Sequence, residues 1–340
     1  MSIDFSIIVA VYNEAATIRE CLTSIICQEY ERDRYEILVV DGLSTDGTRE
    51  AVVSMQGEFG TLYLLDNPRR TVPFALNIAL ARARGRYIMR VDGHAAIAPD
   101  YLRQCALLLE ESRAECVGGA IKSINDSFMG KAIAEAMSCP FGVGNARFRT
   151  SGRPGYVDSL AFGAYRREVF DRIGGFDEAF TRCQDDEFNY RLRGAGGKIY
   201  FSPAIQAWYH PRSSLRKLWK QYFQYGFYKV LVLRRHLLRM QLRQFVPPLF
   251  VITLLAALAL TLLTPGGWMA LAALLLPYLL LSLASSLKIA RRCGWRYLTV
   301  LPLIFMILHV SYGSGFLLGL LRLPARLREP AAAAAGIAEG

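Results

Sequence analysis

The sequence predicts an α/β protein, a mostly parallel sheet with helices on both faces, followed by a C-terminal transmembrane region of about three apolar segments. Three observations predict it. Short β-rich runs alternate with helical patterns through the front half, the order that builds a parallel sheet. Several of those runs end in polar or acidic residues. Residues 244–287 then pass without a single charge, 44 positions in a chain of 340.

In the front half, strands are expected at 5–10, 35–41, 61–65 and 87–92, and helices at 14–27, 46–55, 72–84 and 99–110. Further strands are expected at 116–122 and 158–166, a helix ending at the Gly174-Gly175 pair, a helix at 185–193, and short strands at 198–201 and 206–209. The Gly- and Arg-rich stretch 125–154 reads as a mobile or partly helical segment over the active site. Ligands of such sheets bind outside the carboxyl ends of the strands. That rule places Asp41 and Asp92, each closing a predicted strand, where chemistry is expected. No G-x-G-x-x-G follows the first strand, which argues against a dinucleotide-binding oxidoreductase.

Charge is unevenly distributed. Residues 1–187 hold 27 acids and 21 bases, whereas 188–328 hold no acid and 19 bases. Within 213–243, Leu215, Leu218, Trp219, Tyr222 and Phe223 recur at helical spacing while Arg216, Lys217 and Lys220 take the other side. This is a basic amphipathic helix suited to an anionic membrane surface. The apolar segments 246–264, 268–287 and 298–320 each approach the ~20 residues that cross a bilayer. Because the basic residues adjoin these segments, a nucleic-acid-binding role is disfavoured. Lys288, Arg291, Arg292 and Arg296 mark the second connection as cytoplasmic. The last segment then carries Arg322, Arg326 and Arg328 outward, against the positive-inside rule, unless Gly313 and Gly315 break it into a re-entrant hairpin. His309, inside that segment, is expected to be hydrogen-bonded within the bundle. The tail after 322 is basic and then low in complexity. Seven scattered cysteines, none in a CxxC pair, read as reduced thiols. The run 5–13 is too short for a leader and reads as a strand, so the front half is expected in the cytoplasm, at the inner membrane.

The segment VAVYNEAATIRECLTSI joins a strand to a helix through Tyr12-Asn13-Glu14, and VVDGLSTDGTRE ends a strand at Asp41 before a turn of Ser44, Asp46 and Gly47. Asp46 reads as a cap of that turn, whereas Asp41 can accept from a base N–H or a ribose hydroxyl. With these two motifs, ALNIALARARGRYIMRVDGH and GGFDEAFTRCQDDEFNYRLRGAGG complete a set that resembles family 2 glycosyltransferases with the GT-A fold. The likeness covers about residues 4–230 in consistent order. Within that family the pattern, including YHPRSSLRKLWKQYFQYG, is similar to that of the ExoA-type transferases of succinoglycan biosynthesis.

The resemblance implies a domain order of 1–212 for the GT-A catalytic domain, 213–243 for the interfacial region, 244–322 for the transmembrane region and 323–340 for the tail. It implies a UDP-sugar donor, a divalent metal (Mn²⁺ or Mg²⁺) and a polyprenyl-diphosphate-linked saccharide acceptor, with a hexose such as glucose transferred with inversion in exopolysaccharide biosynthesis. Tyr12, Glu14, Asp41, Asn77 and Asp92 match positions that hold the nucleotide sugar. Asp92-Gly93-His94 stands where the family has its metal motif, with His94 in place of a carboxylate and His210 as a further candidate ligand. Asp185 matches the catalytic base, with Asp186 as the competing assignment. Gln184 stands where the family has Glu, and Gln221 and Gln224 occupy a Q-x-x-R-W-like motif in which Gln224 replaces Arg. These three and Arg212 are the candidates for contact with the acceptor or diphosphate. Two other readings stay open: a processive polysaccharide synthase and a catalytically inactive sugar-nucleotide-binding membrane protein.

Overall fold

The computed structural model describes residues 2–125, 127–144, 152–209, 214–236 and 240–326. In chain order the elements are β1 (Phe5–Val11), α1 (Ile18–Ile26), β2 (Tyr35–Asp41), α2 (Thr48–Gln56), β3 (Leu62–Asp66), α3 (Val72–Arg82), β4 (Tyr87–Asp92), β5 (Ala95–Ile97), α4 (Tyr101–Glu111) and β6 (Cys116–Ser123). There follow α5 (Phe128–Met137), α6 (Pro140–Val143), β7 (Gly155–Val157), β8 (Ala164–Arg166), α7 (Arg167–Ile173), α8 (Gln184–Gly194) and β9 (Ile199–Tyr209). The last four helices are α9 (Leu215–His236), α10 (Val246–Leu263), α11 (Trp268–Cys293) and α12 (Leu301–Arg326). Among the described residues, 2–122 and 152–209 form an α/β unit, and the rest form a helical unit.

The sheet of the α/β unit runs β3-β2-β1-β4-β8-β6-β9-β5, with β7 pairing β9. β1 is parallel to β2 and β4, and β2 to β3. The β4–β8, β6–β8, β5–β9 and β7–β9 pairs are antiparallel. Helices cover the parallel part, so β2 is buried at all seven positions and β1 at six of its seven. This is why those strands read as continuous apolar runs rather than alternating ones. The register sets Val11 beside Asp41 and Ala10 beside Asp92, so the two acids close adjacent parts of one sheet edge.

The structure departs from expectation in a few places. α1 begins at Ile18 rather than residue 14, because the backbone of Glu14 and Ala15 is bonded sideways to Thr48 and Asp46. β9 is one strand rather than two, since its first half pairs β7 and its second half pairs β5 across the Pro203 interruption. β5, three residues long, is too short to show in the sequence pattern. Within the stretch 125–154, residues 128–137 and 140–143 are helical, as α5 and α6, and group with the helical unit, whereas 152–154 are irregular and group with the α/β unit.

In the helical unit, three segments are long and apolar enough to cross a membrane: Leu242–Leu263, Trp268–Cys293 and Leu301–Arg322. Only 17% and 11% of the first two are buried within the protein, so their leucines face outward, as lipid-facing helices do. The third is 44% buried and forms the centre of the unit. Leu301, Ile304, Phe305 and Leu308 of α12 pack with Ile133 and Met137 of α5 and with Leu218 and Tyr222 of α9. α12 is a continuous helix through Gly313 and Gly315, so the re-entrant break is not formed. These glycines serve helix packing instead. A Cβ on Gly315 would collide with the Phe223 carbonyl, and one on Gly226 of α9 with the Tyr312 carbonyl. Small residues thus let α9 and α12 approach closely along their length. Gly226→Leu is expected to cost about 1–3 kcal/mol by overpacking, read as a lower midpoint of thermal unfolding in detergent. His309 accepts its expected place in the bundle, bonding the Tyr278 hydroxyl at 2.9 Å through Nδ1 and the Phe141 carbonyl at 2.8 Å through Nε2.

Candidate active site

Three loops meet at the carboxyl edge of the parallel strands. After β1, Tyr12-Asn13-Glu14 turns through Asn13 in a left-handed conformation (φ 53°). After β2, the 42–47 turn locks onto it. Asn13 N–H donates to Ser44 Oγ at 2.8 Å, Thr45 N–H to Asn13 Oδ1 at 3.0 Å, and Glu14 N–H to Thr48 Oγ1 at 2.8 Å. Asp46 accepts from the amides of Ala15 and Thr48, the capping role expected of it. The two motifs are therefore one structural unit. Tyr12 leaves 39% of its surface exposed and lies against Gly42, with the Arg70 guanidinium 5.6 Å from its ring centre. An exposed ring at a strand edge is a platform on which a nucleobase can stack.

Asp41 is placed differently from expectation. Its side chain has no exposed surface, and its oxygens accept from the Ser44 hydroxyl and amide and from Arg49, at 2.8 Å. A carboxylate closed in this way shapes the turn by holding Ser44 and Arg49 in place. Asn77 is likewise engaged. Its Nδ2 donates to the Phe176 carbonyl at 2.8 Å and to Glu178 at 3.2 Å, and its Oδ1 accepts from Phe176 N–H. It fastens the 174–178 loop to α3, and its amide is spent on protein groups.

Beyond β4, Gly93 is required because a Cβ there would stand 2.7 Å from Val11. This tight crossing brings Glu14 to His94, with Oε1 2.9 Å from Nδ1. Glu14 thus orients the imidazole, a role its sequence position did not disclose. The His94 ring also packs edge-on against Tyr209.

Asp92 is bound by a residue that motif reading passed over. Arg90, two positions earlier on β4 and so on the same face, donates to Asp92 Oδ1 from Nε at 3.1 Å and Nη2 at 2.6 Å. Its Nη1 stands 3.6 Å from Asp185 Oδ2. Burial opposes ionisation of Asp92, but the Arg90 guanidinium, aided by His94 and Arg182, holds its carboxyl below the usual range. For Asp185 the balance tips the other way. Burial raises its pKa, Arg90 opposes the rise, and Asp186 and Asp92 add to it. A carboxylate raised in this way is a stronger base than a solvated one. A charged side chain inside an otherwise apolar strand needs a buried partner, and that signal could have marked Arg90 from the sequence.

Asp185 lies in the first turn of α8, after Cys183 in a left-handed conformation (φ 61°). Its neighbour Asp186 turns to Ser159, whose hydroxyl donates to it at 3.0 Å, and Asn189 donates to the same hydroxyl. Of the two adjacent acids, Asp185 is therefore the one turned to Arg90 and Asp92. Gln184 is nearly buried, at 6% exposure. Glu187 pairs with Arg191 one turn on, at 2.9 Å. Gln221 and Gln224 lie on α9 in the helical unit, where Gln221 donates to the Tyr225 hydroxyl at 2.9 Å. His210 and Arg212 fall outside the described residues.

Among the described residues no three His, Cys, Asp or Glu side chains converge into a metal cage. Asp92 and His94 are the residues at this strand end that could give two donors to a cation, and the Glu14 carboxylate at Nδ1 favours the tautomer whose Nε2 carries the lone pair. Two protein donors suit a cation that takes its remaining ligands from phosphate and water.

Comparisons with known proteins bear on the family and the fold. The profile of the family described as glycosyl transferase family 2 matches residues 6–174. The succinoglycan biosynthesis protein ExoA of Rhizobium meliloti (strain 1021) is 33% identical over 216 residues, 62% of this chain and 64% of ExoA. The chain thus spans slightly less than two thirds of that relative's length. The Methanococcus voltae dolichyl N-acetyl-alpha-D-glucosaminyl phosphate 3-beta-D-2,3-diacetamido-2,3-dideoxy-beta-D-glucuronosyltransferase is 30% identical over 238 residues, 68% of this chain and 74% of the relative. Among solved structures, the mannosyltransferase PcManGT from Pyrobaculum calidifontis, in complex with GDP-Man and Mn²⁺, superposes with a TM-score of 0.57 at 23% identity. That match covers 92% of this chain and 87% of PcManGT, and it shows the expected GT-A fold. By its matched profile, its relatives and the order of its strand-end motifs, the chain belongs to glycosyl transferase family 2.

Proposed function

We propose that the chain is a membrane-bound inverting glycosyltransferase. In this reading it transfers a hexose such as glucose from a UDP-sugar to a polyprenyl-diphosphate-linked saccharide in exopolysaccharide biosynthesis, at the cytoplasmic face of the inner membrane. The observation that carries the chemistry is the line Asp92–Arg90–Asp185, which sets a carboxylate held ionised opposite one whose pKa is raised. The likeness to ExoA supports the substrate class, and the three apolar helices support the membrane setting.

In this mechanism the Tyr12 ring stacks on the base, with the Ser44–Arg49 turn beside it. Asp92 and His94 would hold a divalent cation, which when bound neutralises charge developing on the departing diphosphate. Glu14 keeps His94 in orientation. Asp185 Oδ2 takes the proton from an acceptor hydroxyl as that oxygen attacks the anomeric carbon from the face opposite the leaving group. A single displacement of this kind inverts the configuration. Arg49, in the first turn of α2, and Arg69 and Arg70, in the connection between β3 and α3, add positive charge that favours an anionic donor.

The test is incubation of membranes carrying the chain with radiolabelled UDP-sugars, a lipid acceptor extract, and Mn²⁺ or Mg²⁺. Label is expected to enter the lipid fraction from one donor, to stop on chelation with EDTA, and to resume when the cation is restored. No incorporation from any donor would refute the assignment.

A further inference from the structure

Motif reading assigns no task to Arg90, yet it is the most centrally placed charge in the site. Its side chain is 14% exposed, held between β4 and the start of α8. The contacts it makes are lopsided. Nε and Nη2 both donate to a single oxygen, Asp92 Oδ1. Nη1 is enclosed by protein and, among the described residues, makes no hydrogen bond, although Asp185 Oδ2 is 3.6 Å away. Proteins seldom leave a buried N–H donor unmatched, and the exceptions call for an explanation. A shift of about 0.7 Å would bring Nη1 to hydrogen-bond distance of Asp185. A guanidinium with three nitrogens in a rigid fork can serve two carboxylates at once, or trade one for the other.

We propose that Arg90 is a positioning residue that exchanges partners, holding Asp92 before the donor binds and closing on Asp185 once a cation–nucleoside diphosphate engages Asp92. The inference rests on the reading above, in which Asp92 holds the cation and Asp185 is the base. Its physical content is competition. Arg90 and a divalent cation seek the same carboxylate, and two cations at one oxygen repel. As Arg90 loses hold of Asp92, Asp185 is the carboxylate within its reach, and the hydrogen bond that forms fixes the direction of Oδ2. The base is then aligned when a donor is present and less constrained otherwise. By linkage, a residue that competes with the cation must weaken its binding.

Competition gives the experiment a sign that a purely structural arginine would not. The full chain, purified in detergent, is titrated with Mn²⁺ in the presence of UDP by calorimetry, for the parent, Arg90→Met and Arg90→Lys, and kcat and donor KM are measured in parallel. Arg90→Met is expected to bind Mn²⁺–UDP about tenfold more tightly while its kcat falls by about tenfold or more. Arg90→Lys keeps the positive charge but cannot fork, so it should bind Mn²⁺–UDP as the parent does and still lose kcat. Weaker Mn²⁺–UDP binding in Arg90→Met, or an unchanged kcat in either variant, overturns the exchange. If Arg90→Met does not fold, the Arg90→Lys result decides. A parent that binds UDP without regard to Mn²⁺ would instead overturn the assignment of Asp92, and the exchange with it.

Discussion

Asp185→Asn is expected to lower transfer by about 10²–10⁴-fold, the range that a positioned general base contributes, while nucleotide binding stays near that of the parent. Asparagine matches the carboxylate in size, and its amide oxygen can still accept from the Asp186 N–H that Asp185 Oδ1 accepts from at 3.0 Å, so α8 should start as before. What it lacks is a lone pair basic enough to take a proton. The pH profile of the parent should carry the mark of the same residue. Asp185 works only when ionised, and burial raises its pKa against the pull of Arg90. Protonation therefore sets in above the ~3.9 of a solvated aspartate, and kcat/KM should fall as pH drops through that raised value. Asp185→Asn should lack this limb in whatever activity remains. An acid limb that persists there would assign the base to another group.

Asp92→Ala is expected to fail differently. It removes the carboxylate that faces the cation, so donor affinity and kcat should both fall, and transfer by at least about 10²-fold, since a lost cation contact is worth several kcal/mol of transition-state stabilisation. It also leaves the buried Arg90 guanidinium with Asp185 alone, at 3.6 Å. Losing two hydrogen bonds to a charged group in a partly enclosed site should cost about 2 kcal/mol of stability, read as a lower thermal midpoint. Added Mn²⁺–UDP, which should raise the parent's midpoint by mass action, should leave that of Asp92→Ala unchanged.

The parts of this site that could be read from the chain are those with local causes. Asp41 and Asp92 each close an apolar run, which places them at a strand end without any knowledge of packing. Asp46 follows a turn signature, and its capping bonds are short-range. What the sequence hid depends on partners distant along the chain. Arg90 looks like an ordinary polar interruption of a strand until α8 brings Asp185 to it. Glu14 reads as a ligand for the nucleotide until Gly93 lets β4 close on Val11 and deliver His94. Asn77 sits at a motif position, but its task is set by Phe176, reached through the fold. In the helical unit the alternative that the sequence left open had a different cause. Glycine lowers helix propensity in water, so Gly313 and Gly315 were compatible with a break, whereas a packed interface between apolar helices selects small residues. α5 was legible only as part of a partly helical stretch, because small residues such as Gly130, Ala132, Ala134 and Ala136 make up most of its buried face and leave a weak periodic signal.

The central claim is a division of labour: Asp92 keeps the donor, and Asp185 moves the proton. Calorimetric titration of UDP with Mn²⁺ into Asp185→Asn and Asp92→Ala, side by side with the parent, measures that division directly. Binding at parental strength in the first and its loss in the second is the result the account predicts. Loss of binding in Asp185→Asn with retention in Asp92→Ala would contradict it.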